Sequence, residues 1–145
     1  MADRTKRSIV IAARPEQVMA VIADLSTYPE WVAAAKSVEV LDADAAGRAT
    51  KARFVLDAGV VKDTYVLEYS WRPDGRAVSW QLSSGDLQKA QDGSYELVEQ
   101  PDGGTEVIYE LTVDLNIPMI GMFKRKAEKV ITDTALTELK KRVEG

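Results

Sequence analysis

Few side chains in this sequence can do chemistry, because it contains neither histidine nor cysteine. That removes disulfides, thiolate nucleophiles, Ser-His-Asp triads and nearly all zinc or haem ligation. It also removes the side chain that normally titrates near neutral pH. Acid–base work is left to carboxylates, lysine, arginine and tyrosine, and the tyrosines stand in the most telling pattern. Tyr65, Tyr69, Tyr95 and Tyr109 each fall in a strand-like run, most of it alternating, and the inward face they define takes in Phe54, Leu67 and Trp80. On one face of a sheet these seven residues would form an aromatic wall carrying four hydroxyls. Buried hydroxyls need partners, and several such handles are commoner in a ligand pocket than in a dry core. A filled core remains the competing reading of the same residues.

Other candidate motifs fail on inspection. Asp42-Ala43-Asp44-Ala45-Ala46-Gly47 resembles the start of a calcium loop, but Ala46 stands where a third ligand belongs and Arg53 where a bidentate glutamate is needed. It reads as a turn. Lys124-Arg125-Lys126 and Lys140-Lys141-Arg142 are basic, yet Glu128, Asp133, Glu138 and Glu144 are interspersed, as on a solvated helix face. No Gly-rich phosphate loop or dinucleotide fingerprint is present. The sequence therefore implies no metal and no cofactor.

The elements that must position the tyrosines follow from periodicity. Ser8 to Ala12 reads as a first strand. Pro15 opens a helix with Val18, Ile22 and Leu25 on one side. A second, short helix begins at Thr27-Tyr28-Pro29-Glu30, with Thr27 placed to cap it and Glu30 to complete a capping box. From about residue 37 to 115 the period is two, broken by turn clusters at 44–47, 57–59, 73–75, 83–86 and 101–104. Short connections predict an antiparallel meander of six to seven strands. After Pro118 the helical period returns, with Phe123, Ala127, Ile131, Ala135, Leu139 and Val143 as an i+4 ridge, flanked by Ile120, Val130 and Thr134. A sheet with one apolar face needs a cover, and this helix is the longest amphipathic element available. The expected fold is α+β, a curved antiparallel sheet wrapped around a long C-terminal helix, in one domain over residues 1–145.

Length and charge bound the function. A chain of 145 residues suits one domain, and no apolar run reaches the ~20 residues of a membrane span. The apolar stretch Ile9–Ala13 is too short for a secretory signal, so a cytoplasmic location is expected and no stable membrane insertion. The net charge of -4 argues against a nucleic-acid surface. Oligomeric state is left open.

The order strand, two short helices, six strands, long helix carries a resemblance. With Tyr28-Pro29-Glu30-Trp31 in the second helix, Gly103-Gly104-Thr105 before a long strand, and the tail from Phe123 to Lys140, the chain resembles the START-like (SRPBCC) superfamily. More closely, it resembles the polyketide cyclase/dehydrase and lipid-transport group, including coenzyme-Q-binding homologues. The resemblance implies a helix-grip fold with a cavity between sheet and last helix. It makes Trp31 a gate over the cavity mouth, against the plainer reading of a staple holding its helix to the sheet. The expected ligand-binding set is Trp31, Phe54, Tyr65, Leu67, Tyr69, Trp80, Tyr95, Tyr109, Phe123, Ala127, Val130 and Ile131, with no catalytic residue.

The expected function is binding of a hydrophobic small molecule: a lipid, an isoprenoid quinone or a polyketide-like compound. The alternative implied by the resemblance is a polyketide aromatase/cyclase. Its relatives carry an interior arginine, whereas Lys51 and Arg53 here fall on the outer parity and Lys62 and Asp63 sit early in their strand. A second alternative, a protein-interaction module using the outer sheet face, is opposed by Lys51, Arg53, Glu68, Glu106 and Glu110 on that face.

Overall fold

The computed structural model describes residues 5–57, 62–115 and 121–145, with side chains of the last helix described at 129 and from 132 onward. The elements run β1 (Thr5–Ile11), α1 (Pro15–Ala23), a 3-10 turn (Leu25–Thr27), α2 (Tyr28–Trp31), β2 (Ala35–Ala43), β3 (Ala49–Asp57), β4 (Lys62–Trp71), β5 (Ala77–Gly85), β6 (Gln88–Glu99), β7 (Thr105–Leu115) and α3 (Gly121–Glu144). The strands form one antiparallel sheet in the order β1-β7-β6-β5-β4-β3-β2. Six strands pair with their neighbours in sequence, as short connections demand, and only β1 crosses the chain, setting Thr5 opposite Leu111. The curved antiparallel sheet with a C-terminal helix expected from the pattern, and the helix grip implied by the resemblance, are found.

Local differences have physical reasons. β1 begins at Thr5 rather than Ser8, because β7 extends far enough to pair Thr5, Lys6 and Arg7. The capping box at α2 does not form: Thr27 Oγ1 donates instead to the Asp24 carbonyl at 2.8 Å. Helix α1 is closed at its start by the Arg14 N–H donating to Gln17 Oε1 at 3.1 Å, with Pro15 in the first turn. Asp44 in the calcium-like segment turns its carboxylate onto its own loop, accepting N–H bonds from Ala46 and Arg48. The largest difference is β6. Only Tyr95 and Leu97 mark it in the sequence, yet it is twelve residues long and starts at Gln88. The ladders to β5 and β7 recruit its polar half, Gln88 to Ser94.

The β5–β6 turn is held from a distance. Asp63, on the inward parity of β4 and 5% exposed, accepts N–H bonds from Asp86 (3.1 Å) and Leu87 (2.8 Å) on one oxygen. Its other oxygen accepts from Gln88 backbone N–H (3.3 Å) and Gln88 Nε2 (3.0 Å). The sequence shows Asp63 only as a residue early in its strand; the register turns it inward. Its oxygens are committed to a turn, as charge-assisted acceptors.

Helix α3 packs chiefly on β1 and β7. Among its described side chains, Thr132, Leu136 and Leu139 are buried, with Ala135 and Val143 partly so. The inward stripe therefore includes Thr132 and Leu136, which the i+4 ridge omits: a stripe over 100° wide draws in i+3 neighbours as well. The end of α3 is pinned by Lys140 Nζ donating to the Val10 carbonyl (2.9 Å) and the Ala12 N–H donating to Glu144 (2.9 Å). Arg142 pairs with Glu30 of α2 at 2.9 Å. Ile11, Val18, Ile22, Leu25, Val78, Val107 and Leu111 are fully or almost fully buried in the same core cluster. No helix among the described residues is long and apolar enough to cross a membrane.

Candidate functional site

The inward face of the sheet builds a continuous aromatic band because the register sets the large rings opposite or beside each other. Phe54 faces Tyr65 across β3–β4, their rings stacked at 5.4 Å. Tyr69 faces Trp80 across β4–β5 at 5.8 Å. Tyr95 faces Tyr109 across β6–β7 at 4.6 Å. Trp80 also approaches Tyr95 (5.5 Å) and Tyr109 (5.8 Å), which joins the pairs into one surface. Edge-to-face and offset contacts of this kind add to simple burial.

Gly93 makes the band possible. It lies opposite Trp80 in the β5–β6 ladder, and a Cβ placed there would come within 2.3 Å of the indole ring. Trp80 therefore lies across the glycine, filling the space a side chain would take. Gly93→Ala should destabilise the protein by about 2–3 kcal/mol, since the indole would have to leave its well. A urea melt with a lowered midpoint checks this; an unchanged midpoint would mean the ring has a second resting place.

Between this wall, α2 and α3 lies a cavity of about 450 Å³. Tyr65, Leu67, Tyr69, Trp80, Tyr95, Tyr109 and Phe54 all line it, as does Trp31. Phe123, Ala127, Val130 and Ile131 lie outside the described side chains. Ala135 of the same ridge lines the cavity, and so do residues that sequence reasoning misses: Ile22, Tyr28, Gln91 and Glu138. In the sequence Tyr28 reads only as part of a helix signal, yet its ring meets Trp31 at 5.0 Å and Phe54 at 6.3 Å.

Among the described residues, hydroxyls and one amide bring uncharged polar groups to the interior. Tyr28 donates to the Ile22 carbonyl. The hydroxyls of Tyr65, Tyr69, Tyr95 and Tyr109 have no hydrogen-bond partner among the described residues. Burial pushes all five tyrosines above their ordinary pKa, because the apolar surroundings disfavour the phenolate. Neighbouring phenols add to the rise at Tyr28, Tyr65, Tyr69 and Tyr95. Each is a neutral hydroxyl at physiological pH, able to donate a proton in a hydrogen bond. Charged groups at the cavity wall, among the described residues, are Lys36, Asp57 and Glu138. One Glu138 oxygen accepts the Ala33 N–H at 2.9 Å, tying α3 to the segment after α2. Its other oxygen and the Trp31 Nε1 are buried without partners. Trp31 is packed against the core cluster beneath it. No three His, Cys, Asp or Glu side chains among the described residues gather where they could hold a metal ion.

Comparison with known proteins agrees with this architecture. The profile of the family described as polyketide cyclase / dehydrase and lipid transport matches residues 11–140. The chain belongs to that family. A START superfamily protein of Mycobacterium smegmatis superimposes with a TM-score of 0.88 at 20% identity, covering 97% of each chain. A protein of Thermus thermophilus gives 0.81 at 23% identity, again over 97% of each. The Zhui aromatase/cyclase of Streptomyces sp. R1128 gives 0.82 at 13% identity, over 99% of this chain and 94% of that one. At such identities the likeness is one of fold. A search of curated proteins finds no significant match.

Proposed function

We propose that this chain binds a hydrophobic small molecule, such as a lipid, an isoprenoid quinone or a polyketide-like compound, in the cavity between sheet and α3. The family and fold support a hydrophobic-ligand or polyketide-cyclase type of function. The observation that carries the binding reading is the lining itself: aromatic rings on every central strand, with four tyrosine hydroxyls left unpartnered among the described residues. A volume of about 450 Å³ falls in the range of small-molecule pockets. These hydroxyls face the cavity space, and a ligand that displaces water from it must supply polar atoms to match them. Trp31, Phe54, Tyr65, Leu67, Tyr69, Trp80, Tyr95 and Tyr109 are the proposed contacts. Native mass spectrometry of freshly expressed protein, followed by extraction and identification of bound molecules, tests this directly. A protein that carries nothing and takes up no apolar fluorescent probe would refute it.

The cyclase alternative draws on the same hydroxyls, which would have to stabilise an enolate or deliver a proton to a poly-β-keto chain. In the binding reading, Tyr69→Phe should weaken affinity about two- to tenfold, one hydrogen bond's worth. It should leave the products of a reactive poly-β-keto substrate at the ratio found without protein. A ratio that shifts with the wild type and reverts in Tyr69→Phe would establish catalysis instead.

A further inference from the structure

Gln91 occupies a position for which the aromatic wall alone gives no reason. It sits on the inward face of β6, two residues before Gly93, is 9% exposed, and lines the cavity. Its side-chain amide makes no hydrogen bond with the described residues and is open to the cavity space. A ligand that fills the cavity would cover this amide, and covering it without a partner is unfavourable.

The surroundings decide what could satisfy it. The amide brings two hydrogens, and each unpartnered tyrosine hydroxyl brings one. Unsatisfied donors are rarer in proteins than unsatisfied acceptors, so the interior calls for acceptor atoms. Among the described residues, carboxylates outnumber cations at its wall. Lys36, the cation at the cavity wall among the described residues, is exposed and donates to the Ala33 carbonyl at 3.1 Å. Glu138 and Asp57 line the same wall, and Asp63 lies buried beside Tyr65 on the same face. A carboxylate entering this space would lose its hydration among the like charges of the described wall, with Lys36 at its edge as the described cation.

We propose that Gln91 selects the polar function of the ligand, and that the cavity takes an uncharged molecule carrying a carbonyl while turning away its carboxylate counterpart. This deepens the binding reading and rests on it. The amide N–H donates to the ligand carbonyl, with tyrosine hydroxyls sharing the remaining lone pairs.

Three probes with one ring system test the assignment: 2-acetylnaphthalene, 2-ethylnaphthalene and 2-naphthoate, each affinity referenced to the probe's own octanol–water partition at pH 7. Wild type should bind the ketone about tenfold more tightly than the hydrocarbon on that scale, and naphthoate about a hundredfold more weakly than the ketone. Gln91→Leu should abolish most of the ketone's advantage while binding the hydrocarbon at least as well. Retained hydrocarbon binding in the same variant shows that the cavity is intact, and Gln91→Met serves if leucine impairs folding. If the hydrocarbon binds but wild type shows no ketone preference, or Gln91→Leu keeps it, Gln91 is not the selector and the binding reading survives. Naphthoate binding as tightly as the ketone would overturn the exclusion of anions. If no probe binds wild type, both readings fall together.

Discussion

Asp63→Ala should destabilise the protein by about 3–5 kcal/mol, a large share of the roughly 5–15 kcal/mol that holds a typical domain together. The carboxylate gathers three consecutive backbone N–H groups, of Asp86, Leu87 and Gln88, and the Gln88 side chain. Alanine leaves those donors without their acceptor, and only around Gln88 is the site closed to water. Asp86 N–H keeps a second acceptor in the Thr64 carbonyl, so the loss concentrates on Leu87 and Gln88. Asp63→Asn should fall between, because one oxygen remains but an NH₂ group now faces N–H donors. Urea denaturation measures both, and a midpoint for the alanine variant within error of wild type would mean the turn holds itself. The same variant should disorder the start of β6, and with it the strand that carries Gln91.

The second large effect is expected in alkali. The tyrosines have folded-state pKa values raised above 10.0 by burial, while the unfolded chain ionises near 10. A raised value means the folded state holds its protons longer. The contribution to stability is then fully present below about pH 10 and is lost as pH climbs toward the folded values. Tyr65, Tyr95 and Tyr109 are nearly inaccessible and should give no tyrosinate absorbance while the fold persists. In a titration followed by near-ultraviolet absorbance and circular dichroism together, phenolate should appear in one cooperative step that coincides with unfolding. Gradual ionisation near pH 10 with intact dichroism would show that water reaches the hydroxyls freely.

The contrast between what the residues disclose and what they hide is physical. Phe54, Tyr65, Leu67, Tyr69, Trp80, Tyr95 and Tyr109 are legible because an alternating strand with one apolar face admits one inward parity. Their convergence on a cavity follows from that parity together with the curl of the sheet. Gln91 and Asp63 are not legible, since a polar residue on a strand is read as outward unless its partners are known. Asp63's partners lie more than twenty residues away in a turn. Most of β6 is hidden for the same reason: Gln88 to Ser94 has the composition of a loop, and tertiary pairing overrides it. Tyr28 and Glu138 reach the cavity from helices whose docking angle no local pattern states. An i+4 ridge is narrower than the face a docked helix buries, and Thr132 and Leu136 fall in the difference.

The pairing of β1 with β7 has a consequence for how the chain must assemble. Every other ladder joins sequence neighbours, whereas Thr5 waits for Leu111 and Ile11 for Thr105. Closing so long a loop is entropically costly before it is rewarded, so the hairpins of the meander are expected to form ahead of it. On a ribosome adding about 5–20 residues per second, the first strand emerges several seconds before its partner exists. During that interval Ile9, Val10 and Ile11 form an unpaired β-branched segment, the kind that seeks any available sheet edge. The charges at Lys6 and Arg7 just before it act as gatekeepers against such mispairing, a duty that ends when β7 arrives and Lys6 settles opposite Glu110.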